Sequence, residues 1–455
     1  MNLKKNKKDL NPILFVIVSN GDIMISRIKS LFKKKEYKRI LENMVSLTGL
    51  QFASYILPLI TLPYLTMVLG PDKFGLTQYA ISLITYFEYL TDYGFNLSAT
   101  RELALYRTDK DKVSEIFNSV MFIKVCLCIL SFLILYAIIT FIPKFSADAD
   151  VYLLTFGMVI GYMLFPTWLF QGMEYMKYTS ILNIIGKVIF TVLIFVFVHN
   201  TSDYLLVPVI NSLGFIIVGV LGIYVALTRF DINIKLPSIS NIKYQLKEGW
   251  HVFISTISIN MYTTTNTFLL GLLTNNTLVG YYSIAEKIVL AVNGLLNPIS
   301  QALYPFISRE VASDKKTSIE FIRKITKIMA IVGIVLSVGL FVFADLIISI
   351  LFGEAYHNSI ILLRILSVLP FVVSLSTIFG IETMLTFNYK KAFTTIVMLG
   401  GILDIILGII LITLMKEIGI AISFAITETF ITIAMFIFLQ KKGIKIIDKS
   451  LKDII

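Results

Sequence analysis

Apolar runs of membrane-crossing length recur along almost the whole chain, and no other property narrows its possible folds as far. The first is Asn43–Leu69, and about eleven more follow before Lys441. The hydrocarbon core of a bilayer is about 30 Å thick and an α-helix rises about 1.5 Å per residue, so about 20 apolar residues cross it once. With 56% hydrophobic residues and a mean hydropathy of +0.83, a water-soluble fold has nowhere to bury this much apolar surface. The chain reads as an all-α polytopic membrane protein of about 12 transmembrane helices. The spans are predicted near 44–69, 77–99, 117–142, 151–173, 179–199 and 205–228, then near 249–273, 278–304, 322–345, 358–386, 389–414 and 418–440.

The basic residues set the expected orientation. Of 40 Lys and Arg, about 33 fall on the N-terminal tail, the even-numbered loops and the C-terminal tail, whereas the odd-numbered loops hold only Lys73, Lys144 and Lys416. Positive residues stay inside, so both termini are expected in the cytoplasm. The net charge of +11 then reports topology and contact with anionic lipid headgroups, not nucleic acid. Residues 1–43 form a basic cytoplasmic or interfacial segment, with Ser26–Asn43 patterned as an amphipathic surface helix and Met24 a candidate start. The short apolar stretch Ile13–Val18 does not span. Cys126 and Cys128 lie inside the third span and read as small packing residues.

The predicted cytoplasmic loop 229–248 divides the chain into an N-lobe, 44–228, and a C-lobe, 249–440, followed by a basic tail, 441–455. The halves resemble each other locally. Gly75 and Ala80 match Gly280 and Ala285, and Arg101-Glu102-Leu103-Ala104 matches Arg309-Glu310-Val311-Ala312. Six spans is an even number, so the repeat is parallel, an arrangement suited to alternating access around a site between lobes.

Ten ionisable residues fall inside the spans: Glu88, Asp92, Lys124, Lys187, Glu286, Lys287, Arg364, Glu382, Asp404 and Glu428. At about 3 kcal/mol each, exposing all of them to lipid costs roughly 30 kcal/mol, more than the 5–15 kcal/mol stability of an ordinary fold. Most must therefore face water or one another, and Glu382 is near enough to the cytoplasmic end to snorkel. Lys124 and Lys187 lie about two turns from the inner side, Lys287 and Arg364 about two turns from the outer side. In one cavity they form a cationic ladder for a pyrophosphate-like headgroup; otherwise each neutralises an acid, Lys187 with Glu88 or Asp92 for instance. Glu88, Asp92 and Asn96 share one helical face. Together with Asp404 and Glu428, the acids Glu88 and Asp92 are candidates for proton or sodium coupling, or for structural ion pairs. Thr256, Asn260, Thr263 and Thr267 line one face of the seventh span, to bind sugar hydroxyls or to hold helices together. Pro58, Pro63, Pro166, Pro298 and Pro370 are expected to kink their spans.

Asp148-Ala149-Asp150, in a predicted outer loop, is the one enzyme-like pattern. Paired aspartates hold metals in some membrane glycosyltransferases, but the outer loops here are short. No phosphate-binding glycine loop is present, so ATP is not a direct energy source and no resident cofactor is expected.

Leu57-Pro58-Leu59-Ile60-Thr61-Leu62-Pro63-Tyr64-Leu65 with Val68-Leu69-Gly70-Pro71 and Phe74-Gly75 resembles the first helix and loop of Wzx-type polysaccharide flippases. Asp92-Tyr93-Gly94-Phe95-Asn96-Leu97-Ser98-Ala99-Thr100-Arg101-Glu102 is similar to the end of their second helix. Asn266-Thr267-Phe268, Gly280-Tyr281-Tyr282-Ser283-Ile284-Ala285-Glu286-Lys287 and Pro305-Phe306-Ile307-Ser308-Arg309 match again. The resemblance covers nearly all of the chain after Asn43. It implies the multidrug/oligosaccharidyl-lipid/polysaccharide exporter superfamily and a MATE-like V of two six-helix lobes. It also implies a substrate: an undecaprenyl-pyrophosphate oligosaccharide of O-antigen or capsule type, moved from the inner to the outer leaflet of a bacterial inner membrane. The family's cationic cavity carries over onto Lys124, Lys187, Lys287 and Arg364, most directly onto Lys287. Such a role suggests membrane lipids, a polysaccharide polymerase and other assembly proteins as partners. With the inside negative, export of a dianion gains about 2.3 kcal/mol per charge per 100 mV. A MATE-type, cation-coupled drug pump shares the fold and is the alternative; a membrane glycosyltransferase or polymerase is the third reading.

Overall fold

Apolar runs fold to helices in lipid because every backbone N–H and C=O must be satisfied within the segment. The computed structural model describes residues 35–446 except 298, 301–302, 305–306, 309–310 and 312–314, and the side chains of these outside 35–56, 59, 251, 255–263 and 316. The matching stretch Arg309–Ala312 and Pro298 thus lie largely outside the described residues, as does most of the segment 1–43. The chain divides after Ala53 into two compact units; the first contributes helical residues 35–53, and apart from the bounds of α1 the description below concerns the second, Ser54–Ile455.

Helix α1 (Lys35–Asp92) carries the first two predicted crossings and breaks at Gly70, whose φ of 68° glycine adopts without strain. A second break at Tyr93 (φ 48°) and Gly94 (φ 75°) ends α1 inside the predicted span 77–99, and α2 (Phe95–Tyr106) resumes. Then follow α3 (Lys110–Phe141), α4 (Pro143–Ser146), and one crossing built from three short pieces: α5 (Ala149–Thr155), α6 (Gly157–Leu164) and α7 (Thr167–Gly172). Pro166 stands at the last junction, as a residue without an N–H should. Next come α8 (Met176–Phe197) and α9 (Leu206–Arg229).

The inter-lobe loop is shorter than the predicted 229–248. Ser238 caps α10 (Ile239–Leu273), its hydroxyl accepting from the Asn241 N–H, so helix begins ten residues earlier than the apolar pattern shows. Gln245 on this extension donates to Glu102 on α2 at 2.7 Å, and Phe253 stacks on Tyr93 at 4.7 Å. A Cβ on Gly94 would lie 2.8 Å from the Phe253 backbone nitrogen. Across the same loop Lys110 donates to Asp231 at 2.6 Å and holds its carboxyl below the usual range.

The second half continues through α11 (Asn276–Gly294), α12 (Lys315–Val342), α13 (Ala344–Leu351), α14 (Ser359–Leu366) and α15 (Leu369–Thr377). α15 runs into a wide-turned π segment, Ile378–Leu385, and the last element is α16 (Lys390–Lys441). α16 breaks at Lys416 (φ 51°), dividing the predicted spans 389–414 and 418–440. Seven described stretches are long and apolar enough to cross a membrane, and among the described residues there is no strand. Leu133, Ile331, Val335 and many other large apolar side chains face outward, as lipid requires.

The matched glycines of the two halves meet each other. A Cβ on Gly75 would lie 1.7 Å from the Asn276 carbonyl oxygen, and one on Gly280 would lie 2.3 Å from the Pro71 carbonyl oxygen. The contact is reciprocal, as a two-fold relation between repeats demands. Two further ties cross at this end. Lys144 donates to the Leu272 and Thr274 carbonyls, at 2.8 and 3.0 Å, and Tyr356 donates to the Thr66 carbonyl at 3.1 Å. Each satisfies carbonyls that a helix end leaves bare.

Candidate functional site

Two cavities open among these helices. The first has a volume of about 430 Å³ and is walled by α1, α8, α9 and α11. α1 contributes Thr61 and Leu65 before its break and Phe74, Gln78 and Ile81 after it. α8 supplies Asn183 and Lys187, α9 supplies Asn211 and Phe215, and α11 supplies Lys287 and Leu290. One lysine from each half thus reaches the same chamber. The remaining lining is mostly apolar, so the ammonium groups act through a medium less polarisable than water. A unit charge pair at 4 Å is worth about 1 kcal/mol in water but about 4 kcal/mol at an effective dielectric of 20. The charge that bears most directly on Lys287 is its neighbour Glu286, and that carboxylate already accepts from the Thr267 hydroxyl at 3.1 Å.

The second cavity, about 410 Å³, is lined by Thr85, Glu88, Tyr89, Asp92, Asn96 and Tyr162. The predicted shared face of Glu88, Asp92 and Asn96 is present despite the break at Gly94, with Asn96 donating to Asp92 at 2.8 Å. Lys124 is buried beside it. Its ammonium donates to the Tyr162 carbonyl at 3.3 Å and its charge acts on Asp92. The cation whose charge reaches Asp92 is Lys124, which spends its hydrogen bond on the Tyr162 carbonyl.

A single ladder of four cations is not what the helices assemble. Lys187 and Lys287 share the first cavity, Lys124 is buried behind the wall of the second, and Arg364 lines neither. Arg364 pairs with Asp345, at the start of α13, and its guanidinium lies 5.9 Å from the Phe341 ring centre. Glu382 does not snorkel: it is fully buried on the π segment and accepts from Ser300 at 2.5 Å. The side chains of Thr256, Asn260 and Thr263 lie outside the described residues, while Thr267 faces Glu286. Asp148 and Asp150 sit at the start of α5, and among the described residues no three His, Cys, Asp or Glu side chains are grouped to hold a metal ion.

A third polar cluster lies within the second half. Asp404 is fully buried and accepts from Ser423 at 3.1 Å and Thr427 at 3.3 Å. Its other oxygen, both amide atoms of Asn266 and the Tyr282 hydroxyl are buried without a hydrogen-bond partner among the described residues. Asn266 stands beside Asp404 and Tyr282, close enough to act on both without bonding geometry. Glu428, the residue after Thr427, is also buried. Of the residues in this cluster, sequence reading singled out Asp404 and Glu428, met Asn266 and Tyr282 only within the family-like stretches, and passed over Ser423 and Thr427. It also passed over Asn183, Asn211 and Gln78 in the first cavity. The available signal was an amide on an otherwise apolar helical face.

A family model described as polysaccharide biosynthesis protein matches residues 40–311. The chain belongs to this family. The chain is 35% identical over 325 residues to the "Putative O-antigen transporter" of Escherichia coli (strain K12), covering 71% of this chain and 78% of the relative. It is 28% identical over 320 residues to the protein of the same description from Shigella dysenteriae, covering 70% and 79%. Among solved structures, an inward-facing MATE-family multidrug resistance transporter of the MOP superfamily superposes with a TM-score of 0.67, at 14% identity, over 88% of this chain and 95% of that one. The lipid II flippase MurJ, in an inward closed conformation, gives 0.65 at 16% identity, over 88% and 90%. At these identities the solved structures speak for the fold, and this family member shares the all-α fold of the MOP superfamily.

Proposed function

We propose that this family member is a flippase carrying undecaprenyl-pyrophosphate-linked oligosaccharide repeat units, of O-antigen or capsule type, from the inner to the outer leaflet of a bacterial inner membrane. The observation that carries the reading is the chamber that draws Lys187 from one half and Lys287 from the other. A pyrophosphate cannot enter hydrocarbon unaided, because an uncompensated buried charge costs many kcal/mol. Two ammonium groups in a mostly apolar chamber remove that barrier while the polyprenyl tail stays in lipid. The two curated relatives, described as O-antigen transporters, support the cargo, and the lipid II flippase among the neighbours supports a fold able to move lipid-linked headgroups. The distribution of Lys and Arg supports cytoplasmic termini, which makes the tied end near Gly75 and Gly280 the outer one.

This reading has a direct test in cells. Deletion of the protein leaves lipid-linked repeat units inaccessible to a membrane-impermeant glycosidase added to spheroplasts, and its return restores cleavage. Equal cleavage with and without the protein contradicts the assignment.

Energy coupling belongs to the same proposal. The oxygens of Asp404, Asn266, Tyr282 and Ser423 form a donor set suited to a proton or to a hard cation such as sodium. Asp404→Asn is expected to make transport insensitive to imposed proton and sodium gradients while leaving its response to voltage. If the variant keeps the wild-type response to either gradient, Asp404 is structural.

A further inference from the structure

Resting on that reading, one part of the first cavity is unexplained by charge. Asn183 and Lys187 lie one turn apart on the same face of α8, with Gly186 between them. Asn211 and Gly214 repeat the pattern on α9. The two glycines meet: a Cβ on Gly214 would lie 3.4 Å from the Gly186 carbonyl oxygen, and one on Gly186 would lie 2.6 Å from the Val218 side chain. This seam brings the helices close enough for both amides to line the wall that presents Lys187. The helices are antiparallel neighbours crossing at the glycines, so Asn183 lies on one side of the crossing and Asn211 on the other. Asn183 makes no hydrogen bond among the described residues, and Asn211 donates only to the weak acceptor Met158 Sδ, at 3.4 Å.

We propose that Asn183 and Asn211 read the sugar attached to the pyrophosphate, one on either side of the lysine level. An amide on a span is costly unless something hydrogen-bonds it. It both donates and accepts, which suits hydroxyl and acetamido groups and adds nothing for a bare diphosphate that the ammonium groups already hold. Asn183 stands one turn, about 5–6 Å, from Lys187, the reach from a bound phosphate to the sugar ring it esterifies. A sugar passing the lysines thus leaves one amide and meets the other. Few and convergent polar groups in an apolar chamber give orientation and selectivity in this way.

The test compares two probes on purified protein in nanodiscs: undecaprenyl pyrophosphate, and the same lipid carrying one N-acetylglucosamine. Wild type is expected to bind the glycosylated lipid more tightly. Asn183→Leu and Asn211→Leu each weaken that binding by about fivefold to twentyfold, as the loss of a hydrogen bond predicts, and leave the bare lipid within about twofold. Asn183→Gln, which keeps the amide, retains part of the preference. Equal loss for both lipids, or no loss for either, overturns the sugar-reading role while leaving the flippase reading intact. Failure of wild type to bind either lipid overturns both.

Discussion

Replacing Lys187 and Lys287 together by alanine is expected to lower transport of a lipid-linked pyrophosphate by about a hundredfold or more. A hydrogen bond to a charged group is worth about 1.5–3 kcal/mol, so each lysine accounts for about a factor of ten or more. The two act on one headgroup because they line one chamber, each from its own half. Lys187→Arg with Lys287→Arg keeps both charges and should retain most activity. Arg364→Ala should act on stability near Asp345 and leave transport largely unchanged, because Arg364 lines neither cavity. Initial flipping rates of properly folded variants check all three. Transport lost on Arg364→Ala and kept in the double alanine variant contradicts the cavity assignment.

The second large effect concerns the tied end. In a helix interior, Gly→Ala is worth about 1 kcal/mol in favour of alanine. Gly339, in α12, has open space where a Cβ would go, so Gly339→Ala should be neutral or stabilising. At Gly75 the same change places a carbon 1.7 Å from the Asn276 carbonyl oxygen, well inside the 3.5–4.0 Å at which carbon contacts become favourable. The halves must then separate by about 1.5–2 Å at this end, taking with them the bonds from Lys144 and Tyr356. Gly75→Ala and Gly280→Ala should each lower the apparent Tm by several degrees and cut transport sharply. A Tm for Gly75→Ala equal to that of Gly339→Ala would show that the halves are not locked there.

Much of this was legible in the sequence, for identifiable reasons. Span positions follow from bilayer thickness, so the breaks at Gly70 and Lys416 fall in predicted loops. The break at Tyr93–Gly94 was not legible, because it answers to Phe253, a residue far along the chain. The early start of α10 was hidden because residues 239–248 earn their helix by packing on α2, not by apolar period. Depth along a helix placed Lys124, Lys187, Lys287 and Arg364 at plausible heights. It gave no direction around the helix, so the chamber shared by Lys187 and Lys287, the burial of Lys124 and the Arg364–Asp345 pair needed the fold. Asn183 and Asn211 escaped notice because a search for charge passes over amides.

The most direct measurement is flipping in proteoliposomes of a fluorescent undecaprenyl-pyrophosphate oligosaccharide, beside efflux of a cationic dye. Protein-dependent exposure of the lipid-linked sugar, lost in the Lys187→Ala, Lys287→Ala variant and without dye efflux, is the predicted result. Dye efflux with no movement of the lipid-linked sugar would contradict the account and make this fold a cation pump.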